Sequence, residues 1–187
     1  MYVVGHNQPI LYFGSMAKEY FPPYKIERLI TDHEQYFSQF GWYEPFIHQL
    51  WQGFQKERGE KAKVPDMAWM LFQQIVIIIG KKFGTIPEEM YTKLMFEAYQ
   101  EMWMFMNRSA PKRNMNHIKK LKHEYELKYW KLTQPTKDVK ILGIGCCNFC
   151  DGLYELVMTL DEALLKQPLA SEQCKCKWTC NCGYFLV

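Results

Sequence analysis

The segment PDMAWMLFQQIVIIIGKKF, at residues 65–83, decides the fold because it is apolar around most of its helical circumference. A helix of this kind is buried when other helices surround it. Its most apolar part, residues 67–79, is shorter than the roughly 20 residues that a membrane-spanning helix needs. The segment therefore predicts a central core helix.

Amphipathic helices are predicted on both sides of this segment. Apolar residues recur at three- and four-residue spacing in residues 24–40, 46–54, 85–107 and 115–132. Thr85-Ile86-Pro87-Glu88 is typical of a capping box, with Thr85 as the N-cap of the fourth helix. The fold class predicted is therefore mainly α, a bundle of five to six helices spanning residues 1–134.

The pattern changes after residue 134, which indicates a separate module at residues 135–187. Residues 138–145 (DVKILGIG) and 153–159 are short and rich in apolar or β-branched side chains, as strands are. Residues 160–167 predict a short helix that Pro168 ends. The module is expected to contain β-structure and to be too small to fold without a staple.

All seven cysteines of the chain lie in this module. Cys147-Asn148-Phe149-Cys150 is a C-x-x-C pair, and two C-x-C pairs follow it. Four thiolates at such spacings are typical of structural Zn²⁺. We expect one Zn²⁺ bound by Cys147 and Cys150, with its other two ligands drawn from a set that the spacing leaves open: Cys174, Cys176, Cys180 and Cys182. Cys146 is predicted to lie outside the ligand set, because adjacent side chains point in different directions.

Three other uses of these thiols stay open. They are disulfides, a redox-active C-x-x-C and an iron–sulfur cluster. The N-terminal residues show no export signal, which predicts a cytoplasmic protein with reduced thiols. A redox C-x-x-C needs a helix N-terminus after it, and Asp151-Gly152 is not expected to begin one. Zinc is the favoured interpretation.

A basic segment spans the last predicted helix of the bundle and the start of the module. Residues 112–140 carry nine Lys and Arg against three acidic residues, in a chain whose net charge is +3. These side chains predict either a solvated helix face or contacts with nucleic-acid phosphates. The candidate phosphate ligands are Lys112, Arg113, Lys119, Lys120, Lys122 and Lys128.

The remaining polar residues suggest structure more than catalysis. His33 and His48 lie in apolar helical stretches, where a hydrogen-bonded core histidine is expected. The chain carries none of the G-x-S-x-G, P-loop, G-x-G-x-x-G or H-E-x-x-H motifs. An all-thiolate zinc site has no open position for hydrolysis. The pattern thus favours a non-enzymatic protein.

The module resembles the cysteine-rich C-terminal module of phage head-morphogenesis (minor head) proteins and of uncharacterised prophage proteins. The resemblance rests on Cys147-x-x-Cys150-Asp151-Gly152, then Leu160-Asp161-Glu162-Ala163-Leu164, Pro168-Leu169 and Cys174-Lys175-Cys176. Cys180-Asn181-Cys182-Gly183-Tyr184 fits a second version of the same ending. Lysine or asparagine stands between the paired cysteines where the family has arginine. The resemblance covers about 45 of the 187 residues.

Together these patterns predict a structural or interaction protein, phage- or mobile-element-related, with a protein partner or self-assembly and no membrane contact. The alternative is a nucleic-acid-binding protein that uses the basic segment 112–140 and the zinc module.

Overall fold

The computed structural model describes residues 24–109, 114–143, 147–176 and 180–187. The predictions made for Lys112, Arg113 and Cys146 lie outside these described residues. All structural statements below concern the described ranges.

Five long helices build the first part of the chain. They are α1 (Ile26–Ser38), α2 (Glu44–Arg58), α3 (Val64–Gly80), α4 (Glu88–Ser109) and α5 (Asn116–Thr133). A single 3₁₀ turn, Gly59–Lys61, follows α2. The mainly α fold class, with a small β-containing C-terminal module, is confirmed.

Aromatic rings fill the centre of the bundle. The Phe72 ring of α3 lies 5.3 Å from the Phe37 ring of α1 and 5.4 Å from the Phe105 ring of α4, measured between centroids. All three side chains are fully buried. However, Met70 and Ile77 on α3 are about half exposed. The prediction that α3 is surrounded was therefore wrong in part, because the other helices leave one of its faces open.

The start of α4 also differs from the prediction. The Thr85 hydroxyl donates a hydrogen bond back to the Lys82 carbonyl at 2.8 Å, and the helix begins only at Glu88. Thr85 is therefore part of the preceding turn and does not cap the helix. A capping box does form at Thr159 and Glu162, where the hydroxyl accepts from the Glu162 N–H and the Glu162 carboxylate accepts from the Thr159 N–H.

The C-terminal part is a three-stranded antiparallel sheet with two short helices. The strands are β1 (Asp138–Leu142), β2 (Val157–Thr159) and β3 (Gly183–Leu186), in the order β2-β1-β3. The helices are α6 (Asn148–Asp151) and α7 (Leu160–Lys166). The first predicted strand ends early, at Leu142, and the second consists only of the last three residues predicted, because a turn occupies residues 152–155.

Helix α5 belongs to both parts of the molecule. Its first turn adds Met115 and Ile118 to the core of the bundle. Two turns later, Leu127 is fully buried in the core of the C-terminal part, to which Val139 and Ile141 of β1 also belong. This helix therefore fixes the cysteine-rich part against the bundle.

Candidate metal centre

The six described cysteines come from three separate stretches of chain. Cys147 is the N-cap of α6, and Cys150 lies within this single helical turn. Cys174 and Cys176 follow the turn after α7, and Cys180 and Cys182 lead into β3. Because β1 pairs with both β2 and β3, the sheet brings the three stretches to one place.

The thiols form two groups of metal-ligand size. The Sγ atoms of Cys147, Cys150, Cys174 and Cys176 all lie within 4.8 Å of one another. A second group meets the same limit and shares one member with the first; it consists of Cys150, Cys180 and Cys182. The structure thus brings together the two expected ligands, Cys147 and Cys150, and the four cysteines among which the sequence left the choice open.

The sulfur–sulfur distances match ligands of one ion and exclude bonded pairs. Cys150 Sγ lies 3.7 Å from Cys147 Sγ, 3.5 Å from Cys174 Sγ and 3.6 Å from Cys180 Sγ. A disulfide bond is about 2.0 Å long, and no disulfide joins the six described cysteines. The edge of a zinc–thiolate tetrahedron is about 3.8 Å, since the Zn–S bond is about 2.3 Å. A [4Fe–4S] cluster binds each thiolate to a different iron atom and a [2Fe–2S] cluster binds two to each, so neither holds four thiolates at the spacing of one tetrahedron.

Hydrogen bonds lower the pKa of two of the thiols, and burial raises the pKa of two others. The Cys150 N–H, together with the Lys175 N–H at 3.1 Å, lowers the pKa of Cys147 to about 6. The neighbouring Cys182 thiol lowers the pKa of Cys180 to about 4. Burial raises the pKa of Cys150 and of Cys176. A thiolate is therefore favoured in each group, and a cation is needed before the buried members ionise.

The C-x-x-C pair lies on a single helical turn, and no helix begins at Asp151-Gly152, as the sequence predicted. Asn148–Asp151 is helical because the Asp151 N–H donates to the Cys147 carbonyl at 2.9 Å. The Gly152 N–H donates to the Asn148 carbonyl at 3.1 Å. A single turn of four residues has almost no macrodipole. The geometry is that of a metal-binding knuckle, which presents two thiols from one turn.

Helix α5 holds the second cysteine pair through two side chains that the sequence analysis did not assign to the site. The Asn116 side-chain carbonyl accepts a hydrogen bond from the Cys180 N–H at 2.9 Å. The buried Lys119 ammonium donates to the Cys180 carbonyl and lies 5.1 Å from the Trp103 ring centroid. The position of Lys119 between Trp103 and Cys180 couples the bundle to the cysteine cluster.

Replacing Lys119 should therefore destabilise the protein. Lys119→Met leaves the buried Cys180 carbonyl without this donor, which costs about 1–3 kcal/mol in the free energy of unfolding. The matched control is Lys120→Met, an exposed neighbour whose change should stay within about 0.5 kcal/mol. Urea denaturation of both variants checks this, and equal effects would show that the Lys119 contact is not stabilising.

A second buried polar group lies on the same helix. His123 Nδ1 is 2.9 Å from Glu126 Oε2, and Lys122 Nζ donates to both oxygens of that carboxylate at 2.9 Å and 2.8 Å. Burial lowers the pKa of His123 to about 4, against the opposing effect of Glu126. The pKa of Glu126 is also lowered, chiefly by its hydrogen bond with His123, although burial opposes the shift.

This pair predicts a loss of stability in acid. Because the folded pKa of His123 is below the unfolded value of about 6.5, the unfolded chain binds more protons as the pH falls from about 6.5 to about 4. The free energy of unfolding should fall by roughly 3 kcal/mol over this interval. The lowered pKa of Glu126 changes the free energy of unfolding in the same direction. The stability that its carboxylate contributes at neutral pH is lost as the carboxylate becomes protonated.

The measurement is the urea midpoint as a function of pH for the metal-loaded wild type and for His123→Phe. Both proteins carry the same cysteines, so the difference between their curves reports the contribution of the His123–Glu126 pair. We expect the variant to have the flatter curve between pH about 6.5 and about 4. Identical slopes would contradict the assignment.

The four candidate phosphate ligands that lie within the described residues do not form one exposed surface. Lys119 is buried against the cysteine cluster. Lys122 is paired with Glu126, and Lys128 Nζ donates to Glu124 at 2.6 Å. Lys120 is exposed. The sequence missed this arrangement because the buried face of α5 is divided between two cores.

The two histidines differ. His33 is buried in the bundle with its Nδ1 2.7 Å from Glu101 Oε2, so the core interpretation is confirmed. The His48 side chain is 37% exposed and lies 3.6 Å from Glu44 Oε1 at the surface of α2. The core interpretation of His48 was wrong, because the buried stripe of this helix runs through Ile47 and Phe54.

No protein-family model, curated protein or solved structure matches the chain. Within the described residues, every helix is too short or too polar to cross a membrane.

Proposed function

We propose that the cysteine cluster binds Zn²⁺ as a structural staple and that the chain is a non-enzymatic structural or interaction protein. One observation carries the proposal: the thiols of Cys147, Cys150, Cys174 and Cys176 lie within 4.8 Å of one another. Four thiolates at tetrahedral spacing are the preferred ligands of structural zinc. They complete the coordination sphere of that ion, so no position is left for a hydrolytic water.

The size of the C-terminal core supports the staple. Thirteen buried residues form it, and four of these are cysteines. So small an apolar core gives little net stability against the conformational entropy of the chain. A metal that binds only the folded state adds its binding free energy to folding. The proposal includes a reducing compartment such as the cytoplasm, where thiols stay available to zinc.

The outer face of the sheet supports an interaction role. Lys140 is directly opposite Val157 on β2 and Phe185 on β3, so the three side chains share one face. Val157 and Phe185 are about half exposed, whereas Val139 and Ile141 face the core. We propose that this face, Val157–Lys140–Phe185, packs against a second copy of the chain. Two exposed apolar side chains then leave water together.

Sedimentation velocity tests the interaction role. The wild type is expected to associate as its concentration rises, and Val157→Lys with Phe185→Lys should stay monomeric, because two added charges cannot be buried unpaired. Leu165→Lys is the matched control, since Leu165 is 85% exposed on α7, outside the sheet. A wild type that is monomeric at all concentrations would remove self-assembly from the proposal.

The phage relationship and the nucleic-acid alternative both stay predictions. Among the candidate phosphate ligands within the described residues, Lys119 is buried and Lys122 and Lys128 are ion-paired, which weighs against the alternative. If nucleic acid binds, its affinity should decrease steeply with salt.

A further inference from the structure

Cys150 belongs to both groups of thiols. Its Sγ lies at the spacing of a tetrahedral edge from Cys147 and Cys174 in the first group and from Cys180 in the second. One tetrahedral ion takes four thiolates. An ion in the first group therefore leaves Cys180 and Cys182 without a metal, although both are fully buried and the three thiols of the second group lie within 4.8 Å of one another.

We propose that the cluster binds two zinc ions and that the Cys150 thiolate bridges them. The first ion takes Cys147, Cys150, Cys174 and Cys176. The second takes Cys150, Cys180 and Cys182, which leaves one position for a further donor. This inference rests on the proposed zinc site and replaces the sequence expectation of a single ion.

Charge balance permits the second ion. One divalent ion with four thiolates carries two net negative charges, and two ions with six thiolates carry the same net charge, so the second ion adds no net buried charge. Buried charge of one sign is costly unless it is compensated. The Lys119 ammonium, which bonds to the Cys180 carbonyl, adds a buried positive charge beside the second group.

The absence of a side chain at Gly143 leaves the space that Cys182 occupies. A Cβ atom at residue 143 would lie 2.5 Å from Cys182 Sγ and 2.8 Å from Cys182 Cα. Any side chain at residue 143 would therefore displace the Cys182 thiol from the second group. At Gly152, beside the first group, an added Cβ would make ordinary contacts of 3.5 Å. Gly143→Ala should therefore disturb the second ion, and Gly152→Ala serves as its matched control.

The test is the metal content of the full chain, purified under reducing conditions. Native mass spectrometry and elemental analysis should find two zinc ions per chain in the wild type and in Gly152→Ala. They should find one in Cys182→Ser and one in Gly143→Ala. A single zinc in the wild type, kept in Cys182→Ser and lost in Cys176→Ser, would overturn the two-ion inference and leave the structural zinc intact. No zinc in any of these proteins would overturn both.

The bridging role of the Cys150 thiolate can be tested on the wild type alone. The wild type loaded with ¹¹³Cd²⁺ should give two cadmium resonances with a mutual scalar coupling through the shared sulfur. Two uncoupled resonances would overturn the bridging role of Cys150, and one resonance would overturn the second ion.

Discussion

Replacing Cys150 with serine is expected to abolish zinc binding and unfold the C-terminal part of the chain. Cys150 Sγ is the atom that both groups of thiols share, and its side chain is 1% exposed at the centre of the small core. Structural zinc in small domains contributes on the order of 10 kcal/mol to folding. Loss of the central ligand should therefore outweigh any other single substitution in the chain.

Circular dichroism and metal analysis of Cys150→Ser measure this effect. The variant should lose zinc together with the sheet signal and should retain most of the helical signal, because α1 to α4 pack around a separate core. Cys146→Ser is the matched control and should retain its zinc, since sequence analysis places Cys146 outside the ligand set. If Cys150→Ser keeps a full zinc load, Cys150 is not a ligand.

Removing the metal from the wild type is expected to unfold the same region. A strong chelator should raise amide hydrogen exchange throughout β1, β2, β3 and α7, because the apolar core that remains there is small. Protection in α1, α3 and α4 should persist, because these helices bury a large aromatic core that contains no cysteine. The second half of α5 should be an intermediate case, since Leu127 belongs to the C-terminal core and Ile118 belongs to the core of the bundle.

Hydrogen exchange followed by mass spectrometry resolves these regions in one experiment, so the bundle is the internal control. Restoring Zn²⁺ should restore protection, which separates metal loss from irreversible damage. Unchanged exchange in the strands after complete metal removal would contradict the staple.

The helical part of the fold could be predicted because its signals are local. Apolar spacing in residues 24–40 and 115–132 predicted α1 and α5. The observed ends of both helices lie within a few residues of the predicted ends. Element ends depend on contacts that spacing does not show. The sequence offered Thr85 and Glu88 as the two residues of a capping box. In the structure the Thr85 hydroxyl instead donates to the Lys82 carbonyl, in a turn that ends before the helix begins.

Long-range contacts account for what the sequence could not reveal at the cysteine site. The C-x-x-C and C-x-C spacings predicted ligands, because each pair is local. Which of the later cysteines can be ligands depends on the pairing of β3 with β1. This pairing brings the Cys180 Sγ atom to 3.6 Å from the Cys150 Sγ atom. Lys119 was interpreted as a surface lysine, and its burial follows from the packing of a residue 61 positions away along the chain.

Native mass spectrometry of the intact chain, purified with reductant, tests the central claim most directly. We expect a zinc-bound protein in which Cys147, Cys150, Cys174 and Cys176 react with a thiol reagent only after the metal is chelated, because their Sγ atoms are gathered within 4.8 Å of one another. A metal-free protein with disulfide bonds among these cysteines would contradict it.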